Sequence, residues 1–125
     1  MTVLGNGIDI IEIERIERAI ARQKEKFLER VYTQEEIDFC MKKARPAMHF
    51  AARFAAKEAV AKALGTGLSR GVRMRDIEVA PAAAGPPKVR LYGGAAKIYD
   101  ALGGKKILLS LSHSREQAIA HAIIS

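Results

Sequence analysis

The spacing of apolar and polar residues predicts a strand and then a long helix at the start of the chain. The segment LGNGIDII (4–11) has the character of a short strand, with Gly5 and Gly7 as breakers at its entry. From Glu12 to about Val31 the apolar residues recur every three or four positions, as on an amphipathic helix. The residues that share its apolar face are Ile13, Ile16, Ile20 and Phe27.

Terminal signals predict two further helices. The sequence TQEE has the form of a capping box, with Thr33 as N-cap and Glu36 at the third helical position, and this helix runs to about Lys43. Pro46 marks the start of the next helix, which spans 49–64. The helix stops at two glycines, Gly65 and Gly67.

After residue 68 the apolar residues follow the shorter spacing that is typical of strands. We expect strands at 77–81 and 88–93 around the turn-like AAAGPP, then a short helix at 94–103. A hairpin of 105–114 with 117–125 follows. No repeat or linker interrupts the chain, so residues 1–125 are expected to form a single domain. The predicted class is α+β, a small antiparallel sheet with packed helices.

Composition narrows the class of partner. The net charge of +7 favours a polyanionic partner: nucleic acid, a nucleotide or an acidic protein. No segment approaches the ~18 apolar residues needed to span a bilayer, and the N-terminal residues carry charges where a signal peptide is apolar. The single cysteine, Cys40, excludes a disulfide within the chain and fits a reducing compartment. We therefore expect a soluble cytoplasmic protein.

Three charged residues stand at or beside apolar positions. Asp9 interrupts an apolar strand, and a partly buried carboxylate needs a cation or several donors. Glu58 and Lys62 lie one turn apart at the edge of the buried stripe of their helix. Two carboxylates suit Mg²⁺, which completes its octahedron with waters and substrate phosphates, and a nearby lysine can hold a phosphate.

A simpler interpretation of the same residues stays open. Glu58 and Lys62 have the spacing of a surface ion pair, worth ~0.2–0.5 kcal/mol on a helix. Asp9 would then point to solvent or cap the following helix.

A basic stripe lies on the first helix, away from its apolar face: Arg15, Arg18, Arg22 and Lys26. It is either a solvated face with local ion pairs or a docking ridge for an acidic helix or a phosphate backbone. Almost no aromatic residues are interleaved with these cations, which favours an acidic protein over single-stranded nucleic acid.

His113 follows Ser112 near the end of a predicted strand, but adjacent strand residues point to opposite faces and the chain has no G-x-S-x-G motif. These facts argue against a serine hydrolase. A phosphate contact from His113 and a neighbouring hydroxyl is the better interpretation.

Five segments resemble the holo-[acyl-carrier-protein] synthases, the small single-domain branch of the 4′-phosphopantetheinyl transferases. They are GIDIIEIERI (7–16), RFAAKEAVAKALGTG (53–67), DIEV (76–79), GPP (85–87) and LSLSHSREQAIAHAII (109–124). The resemblance implies a 4′-phosphopantetheinyl transferase-like fold. It also implies Mg²⁺-dependent transfer of the 4′-phosphopantetheine arm of coenzyme A to a serine of apo acyl carrier protein. Adenosine 3′,5′-bisphosphate is released, and the modified carrier serves fatty acid biosynthesis.

The resemblance also assigns roles to residues of this sequence. The catalytic residues are Asp9, Glu58 and Lys62, of which the two acids hold Mg²⁺ and the lysine contacts the pyrophosphate. The further residues expected to bind coenzyme A are Arg53, Gly85, Pro87, His113 and Ser114. The basic stripe docks the carrier protein. Members of the family are commonly homotrimers with the site at a subunit interface.

Other functions and one mechanistic choice stay open at this point. A small basic nucleic-acid-binding protein fits the charge but leaves Asp9, Glu58 and Lys62 unexplained. A Mg²⁺-dependent phosphohydrolase shares the metal site but not the docking stripe. The general base is a metal-bound water, a side chain such as Glu58, or an acid of the carrier protein. On the resemblance, we expect neither nucleic acid nor a membrane among the partners.

Overall fold

The computed structural model describes residues 1–125 and contains five strands and five α-helices. In chain order they are β1 (Gly5–Glu12), α1 (Ile13–Gln23), α2 (Glu25–Val31), α3 (Gln34–Met41), α4 (Pro46–Ala63), β2 (Ile77–Ala80), β3 (Lys88–Leu91), α5 (Gly93–Ala101), β4 (Ile107–His113) and β5 (Gln117–Ile124). A short 3₁₀ turn, Met74–Asp76, precedes β2. None of the helices combines the length and the apolar character needed to cross a membrane.

The strands form two antiparallel sheets. The larger sheet has the order β1-β5-β4, and the smaller pairs β2 with β3. One face of the larger sheet lies against α4, because β5 contributes only small buried side chains at its centre: Ala118, Ala120 and Ala122. The hairpin predicted at the C-terminus and the strand pair around AAAGPP are both present.

Two glycines allow β1 to approach α4 backbone to backbone. A Cβ atom on Gly7 would clash with the carbonyl oxygen of Ala59, and one on Gly5 would clash with that of Ala63. Both glycines lie inside the strand rather than at a break before it. Their role is therefore close packing, which the interpretation as strand breakers did not anticipate.

Helix α4 is the centre of the core, and it is buried on nearly all sides. Every residue from Phe50 to Val60 is buried except Glu58, which is half-buried. The helix begins at Pro46, three residues earlier than predicted, and ends before Gly65 and Gly67, both of which have positive φ. The predicted one-sided apolar stripe is thus wrong for this helix, since sheet and helices cover it from several directions.

The long helix predicted from Glu12 to Val31 is two helices. Lys24, at the junction, has φ 50° and ψ −126°, which no helix accommodates. Apolar periodicity continues across the junction because each helix buries its own residues, Ile16 from α1 and Phe27 from α2. By contrast, the capping box of α3 is present: Glu36 N–H donates to Thr33 Oγ1, and Thr33 N–H donates to Glu36 Oε1.

Candidate active site

Strand β1 presents Asp9 to the helix α4. Ile8 and Ile10 are exposed on the outer face of the sheet, whereas Ile11 is buried on the inner face that Asp9 shares. The side chain of Asp9 is only 11% exposed. The close approach of β1 to α4 at Gly7 places this carboxylate beside the C-terminal half of the helix.

Lys62 of α4 pairs with Asp9 rather than with Glu58. Its Nζ donates to Asp9 Oδ1 at 3.0 Å and to the Ile8 carbonyl oxygen at 3.0 Å. No ion pair joins Glu58 to Lys62, and Asp9 neither faces solvent nor caps a helix. The simpler interpretation of these three residues from the sequence is therefore wrong.

Glu58 lies close to Asp9. Partial burial raises the pKa of the Glu58 carboxyl, and the charge of Asp9 and a hydrogen bond shared with it raise this pKa further. The cations Arg15 and Lys62 oppose the shift only in part. The two acids therefore form a pair of like charges that holds a proton or a cation more readily than separate carboxylates would.

The donor set at this acid pair fits Mg²⁺. No group of three or more His, Cys, Asp and Glu side chains comes together in the structure, so the protein offers two carboxylate ligands. Zinc sites need three or four protein ligands, whereas Mg²⁺ commonly takes one or two carboxylates together with waters and substrate phosphates. The nearness of the two carboxylates, through which Asp9 raises the pKa of Glu58 beyond the effect of burial, favours a cation here.

The basic stripe is divided by the break at Lys24. Arg15, Arg18 and Arg22 are exposed on α1, whereas Lys26 belongs to α2. The Arg15 guanidinium carbon lies 5.7 Å from the centre of the Phe54 ring, and its charge reaches Glu58. Arg15 thus connects the basic stripe to the acid pair, and the prediction that Lys26 continues the stripe on the same helix is wrong.

Arg53 is a buried cation without a carboxylate partner. It is 5% exposed, its guanidinium carbon lies 4.2 Å from the centre of the Phe39 ring, and its Nε has no hydrogen-bond partner. A buried charged group without a partner is unfavourable. Arg53 is therefore suited to an anion brought by a ligand.

The remaining predicted residues lie at exposed turns. His113 ends β4, and Ser114 Oγ in the following turn accepts from Glu116 N–H and Gln117 N–H, which leaves its hydroxyl proton free to donate. Gly85 is exposed with φ 81°, and Pro87 borders a cleft of about 670 Å³ between β3, α5 and β4.

The site is not gathered into one pocket within the chain. The cleft beside Pro87 contains neither the acid pair nor Arg53 in its lining. Asp9 and Lys62 border a different hollow of about 270 Å³, whose other walls are Ile8, Ile10 and Ile119.

Sequence reasoning missed the buried ion pair of Lys57 with Glu36. Both side chains are inaccessible, and Lys57 Nζ donates to Glu36 Oε1 at 2.7 Å and to the Met74 and Ile77 carbonyl oxygens. Burial lowers the pKa of Lys57, and Glu36 opposes that shift. The available signal was a lysine in the middle of an otherwise apolar helical segment.

Comparison with known proteins now identifies the family. Residues 5–122 match the sequence model described as the 4′-phosphopantetheinyl transferase superfamily. The holo-[acyl-carrier-protein] synthase of Koribacter versatilis is 46% identical over 122 residues, covering 98% of each chain. That of Ruminiclostridium cellulolyticum is 49% identical over 120 residues, covering 95% of this chain and 90% of the relative.

Solved structures agree with this assignment. The crystal structure of the Neisseria meningitidis holo-[acyl-carrier-protein] synthase superposes with a TM-score of 0.91 at 31% identity, covering 99% of both chains. The Helicobacter pylori enzyme, solved in complex with coenzyme A, has a TM-score of 0.84 at 34% identity, covering 96% of this chain and 99% of that one. The family resemblance and the α+β fold class expected from the sequence are confirmed. This chain belongs to the 4′-phosphopantetheinyl transferase superfamily and, within it, to the holo-[acyl-carrier-protein] synthases.

Proposed function

We propose that this protein transfers the 4′-phosphopantetheine group of coenzyme A to a serine of an apo acyl carrier protein. The reaction depends on Mg²⁺, releases adenosine 3′,5′-bisphosphate and supplies holo carrier protein for fatty acid biosynthesis in the cytoplasm. The observation that carries the proposal is the acid pair of Asp9 and Glu58 beside Lys62. Relatives named holo-[acyl-carrier-protein] synthase, one of them solved with coenzyme A, support the substrate pair.

Asp9 and Glu58 are the residues that would hold Mg²⁺. When bound, the ion polarises the pyrophosphate oxygens and neutralises charge on the leaving phosphate. Lys62 is half-exposed on a flexible stem, so its ammonium group can exchange Asp9 for a pyrophosphate oxygen. Together the three side chains neutralise and orient the diphosphate, which is the main task of a protein in phosphoryl-type transfer.

The nucleophile is supplied by the carrier protein, which explains why the chain contains no activated serine or cysteine near the acid pair. The serine oxygen forms a bond to the β-phosphorus of coenzyme A while the bond from that phosphorus to the oxygen bridging to the α-phosphate breaks. The serine proton passes to a base at the site, and the bisphosphate leaves with the electron pair. Positioning of the serine therefore contributes much of the rate.

The nucleotide end of coenzyme A is assigned to Arg53, His113 and Ser114. Arg53 lacks an anion, and Ser114 has a free hydroxyl donor, so both suit the 3′-phosphate. Gly85 and Pro87 belong to the loop proposed to cover the adenine. The apolar surface of this loop suits contact with a flat aromatic base.

The carrier protein is proposed to dock on the basic stripe. Three of the four cations lie exposed on α1, and only Arg18 has an ion-pair partner, Glu14 at 3.2 Å. Arg15 belongs to the stripe, and its charge also acts on Glu58. A carrier-protein helix bound to the stripe would therefore deliver its serine close to the acid pair. An acidic helix is the complementary partner for this surface.

We further propose that the active enzyme is a homotrimer with the site at the subunit interface. The outer face of the larger sheet has no covering element and exposes apolar residues, with Ile8 at 62% and Ile10 at 55% exposure. The hollow beside Asp9 opens onto this same face, through Ile8, Ile10 and Ile119. A neighbouring subunit on this face would close the site that one chain leaves divided.

The experiment that tests the function is intact-protein mass spectrometry of an apo carrier protein incubated with this protein, coenzyme A and Mg²⁺. We expect a mass gain of one phosphopantetheine, which disappears with a chelator or when the carrier serine is replaced by alanine. A carrier that stays unmodified while coenzyme A is cleaved would identify a phosphohydrolase instead. Binding of random DNA or RNA at ~0.15 M salt would support the nucleic-acid alternative.

A further inference from the structure

Four basic side chains surround the ring of Phe39 or lie near it. The Lys43 ammonium and the Arg53 guanidinium lie 4.4 and 4.2 Å from the ring centre, and the His49 ring meets Phe39 edge-on at 6.2 Å. His113 is close enough for its charge to act on His49. Three elements thus supply one cluster: Lys43 follows α3, His49 and Arg53 belong to α4, and His113 ends β4.

The cluster has no counter-anion within the chain. None of the ion pairs in the structure includes Lys43, Arg53 or either histidine. No carboxylate oxygen therefore lies within 4.0 Å of the basic nitrogen atoms of these residues. Arg53 is 5% exposed and has an unpartnered Nε, which is an independent sign that a ligand completes the site. Accumulated positive charge without an acid is the arrangement that phosphate-binding sites share.

His49 differs from its neighbours because it can change its charge. Partial burial lowers its pKa first, and the charges of Arg53, Lys43 and His113 lower it further. His49 is also the fourth residue of α4, close to the N-terminal end where the helix dipole adds positive potential. While the site holds no anion, the imidazole therefore binds a proton less readily than an exposed histidine does.

We propose that Lys43 and His49 complete the anion site of Arg53 and His113, and that His49 takes up a proton when a phosphomonoester binds there. The inference rests on the proposed function, in which the 3′-phosphate of coenzyme A is the anion. It assigns to His49 a specificity role: the histidine becomes a charge-assisted donor only when the nucleotide carries that phosphate.

The direction of the pH dependence follows from the charges. A bound dianion favours the imidazolium, so the pKa of His49 is higher in the complex than in the free chain. Proton uptake is greatest between these two pKa values. Affinity for the 3′-phosphate then weakens as pH rises through the higher one, by at most about tenfold per pH unit for one coupled proton. A nucleotide without the 3′-phosphate lacks this dependence.

The test is isothermal titration calorimetry of adenosine 3′,5′-bisphosphate at about pH 7 in two buffers of different ionisation enthalpy, which counts the protons bound. We expect net uptake with the native chain. His49→Gln should remove that uptake and weaken binding about tenfold, as expected for loss of one charged hydrogen bond. Lys97→Gln, which removes an exposed cation of α5, should preserve both values. Adenosine 5′-monophosphate should show no difference in proton uptake between native chain and His49→Gln.

Equal proton uptake by the native chain and His49→Gln would overturn the inference. An assay of carrier modification distinguishes failure of this inference from failure of the proposed function. If the native chain modifies the carrier but His49→Gln leaves proton uptake unchanged, only the inference is rejected. A native chain that binds no bisphosphate and modifies no carrier contradicts both. As a second measurement on the native chain, the His49 ring resonances should titrate at higher pH with bisphosphate than without it, and coincident titrations would also reject the inference.

Discussion

Lys57 and Glu58 are neighbours on α4, but their charged groups have very different surroundings. Lys57 is inaccessible, and its ammonium group has three hydrogen-bond acceptors, among them Glu36. Glu58, on another side of the helix, is half-buried beside a second carboxylate and a lysine that bonds elsewhere. The first group is satisfied by the protein itself, whereas the second lies beside a like charge and pairs with no cation of its own. The satisfied charge of Lys57 has a structural role, whereas the incompletely compensated charge of Glu58 is a candidate for function.

The buried pair also positions the site. Glu36 accepts hydrogen bonds from Val79 N–H and Thr33 N–H as well as from Lys57, so one carboxylate connects α3, α4 and β2. This arrangement holds α4 against the small sheet on one side. Glu58, the next residue, lies about 100° further round the helix and faces β1 at a fixed rotation.

The largest effect is expected from breaking the satisfied pair. Lys57→Met leaves Glu36 buried without its cation, and removal of one partner of a buried ion pair destabilises a protein by about 3–5 kcal/mol. The free energy of unfolding, measured by urea denaturation, should fall by this amount. Glu58→Gln serves as the matched control, with a change below about 1 kcal/mol. A stable Lys57→Met variant would show that the pair does not hold the fold.

The next effect concerns activity. Asp9→Ala or Glu58→Ala should abolish Mg²⁺-dependent modification of a carrier protein, because either change removes one of the two proposed protein ligands. Circular dichroism and the urea midpoint should remain close to those of the native chain. Rates are measured by mass spectrometry of the carrier over time. A double variant with native activity would remove the metal hypothesis.

The pH dependence of stability gives a smaller and more specific test. The pKa of Glu58 is raised above its ordinary value of 4.5, so the folded chain binds a proton more tightly than the unfolded chain. Without Mg²⁺, stability should therefore decrease as pH rises from about 4.5 through the raised value. Glu58→Gln should lack this decrease, and Mg²⁺ should counteract it in the native chain. Parallel pH profiles for native chain and variant would argue against a coupled acid pair.

The smallest effect is expected at the basic stripe. Arg22→Glu should raise KM for the carrier protein by about tenfold while leaving KM for coenzyme A unchanged, because Arg22 is exposed and distant in sequence from the residues proposed to bind the nucleotide. Arg15→Glu should alter kcat as well, since the charge of Arg15 reaches Glu58. Lys97→Glu is the control for an exposed charge reversal elsewhere. Equal changes in both KM values would contradict docking on this surface.

Salt provides an independent check of the same surface. If the basic stripe steers an acidic carrier, KM for the carrier should rise with ionic strength, since exposed charges are screened over about 10 Å at 0.1 M salt. Arg22→Glu should reduce that salt dependence. If KM for the carrier does not change with salt in either the native chain or Arg22→Glu, electrostatic steering by this surface is excluded.

Local signals in the sequence were sufficient for much of the fold. The capping box of Thr33 and Glu36, the stop at Gly65 and the closing hairpin depend on interactions between residues near one another in the chain, so a short segment carries the information. The placement of Asp9 on the face opposite Ile8 and Ile10 follows from strand alternation alone. The residue types of Asp9 and Glu58 suggested a shared cation, and the family motif then strengthened that hypothesis.

Only the tertiary structure decided which charges pair and which do not. Lys62 bonds to Asp9 on a distant strand, Lys57 finds Glu36 on another helix, and Arg53 finds no anion at all. Helical spacing cannot determine such outcomes, because they depend on which elements pack around α4 and how closely. The break at Lys24 has the same cause: two short helices each bury an apolar face, and their combined pattern is indistinguishable in sequence from one continuous helix.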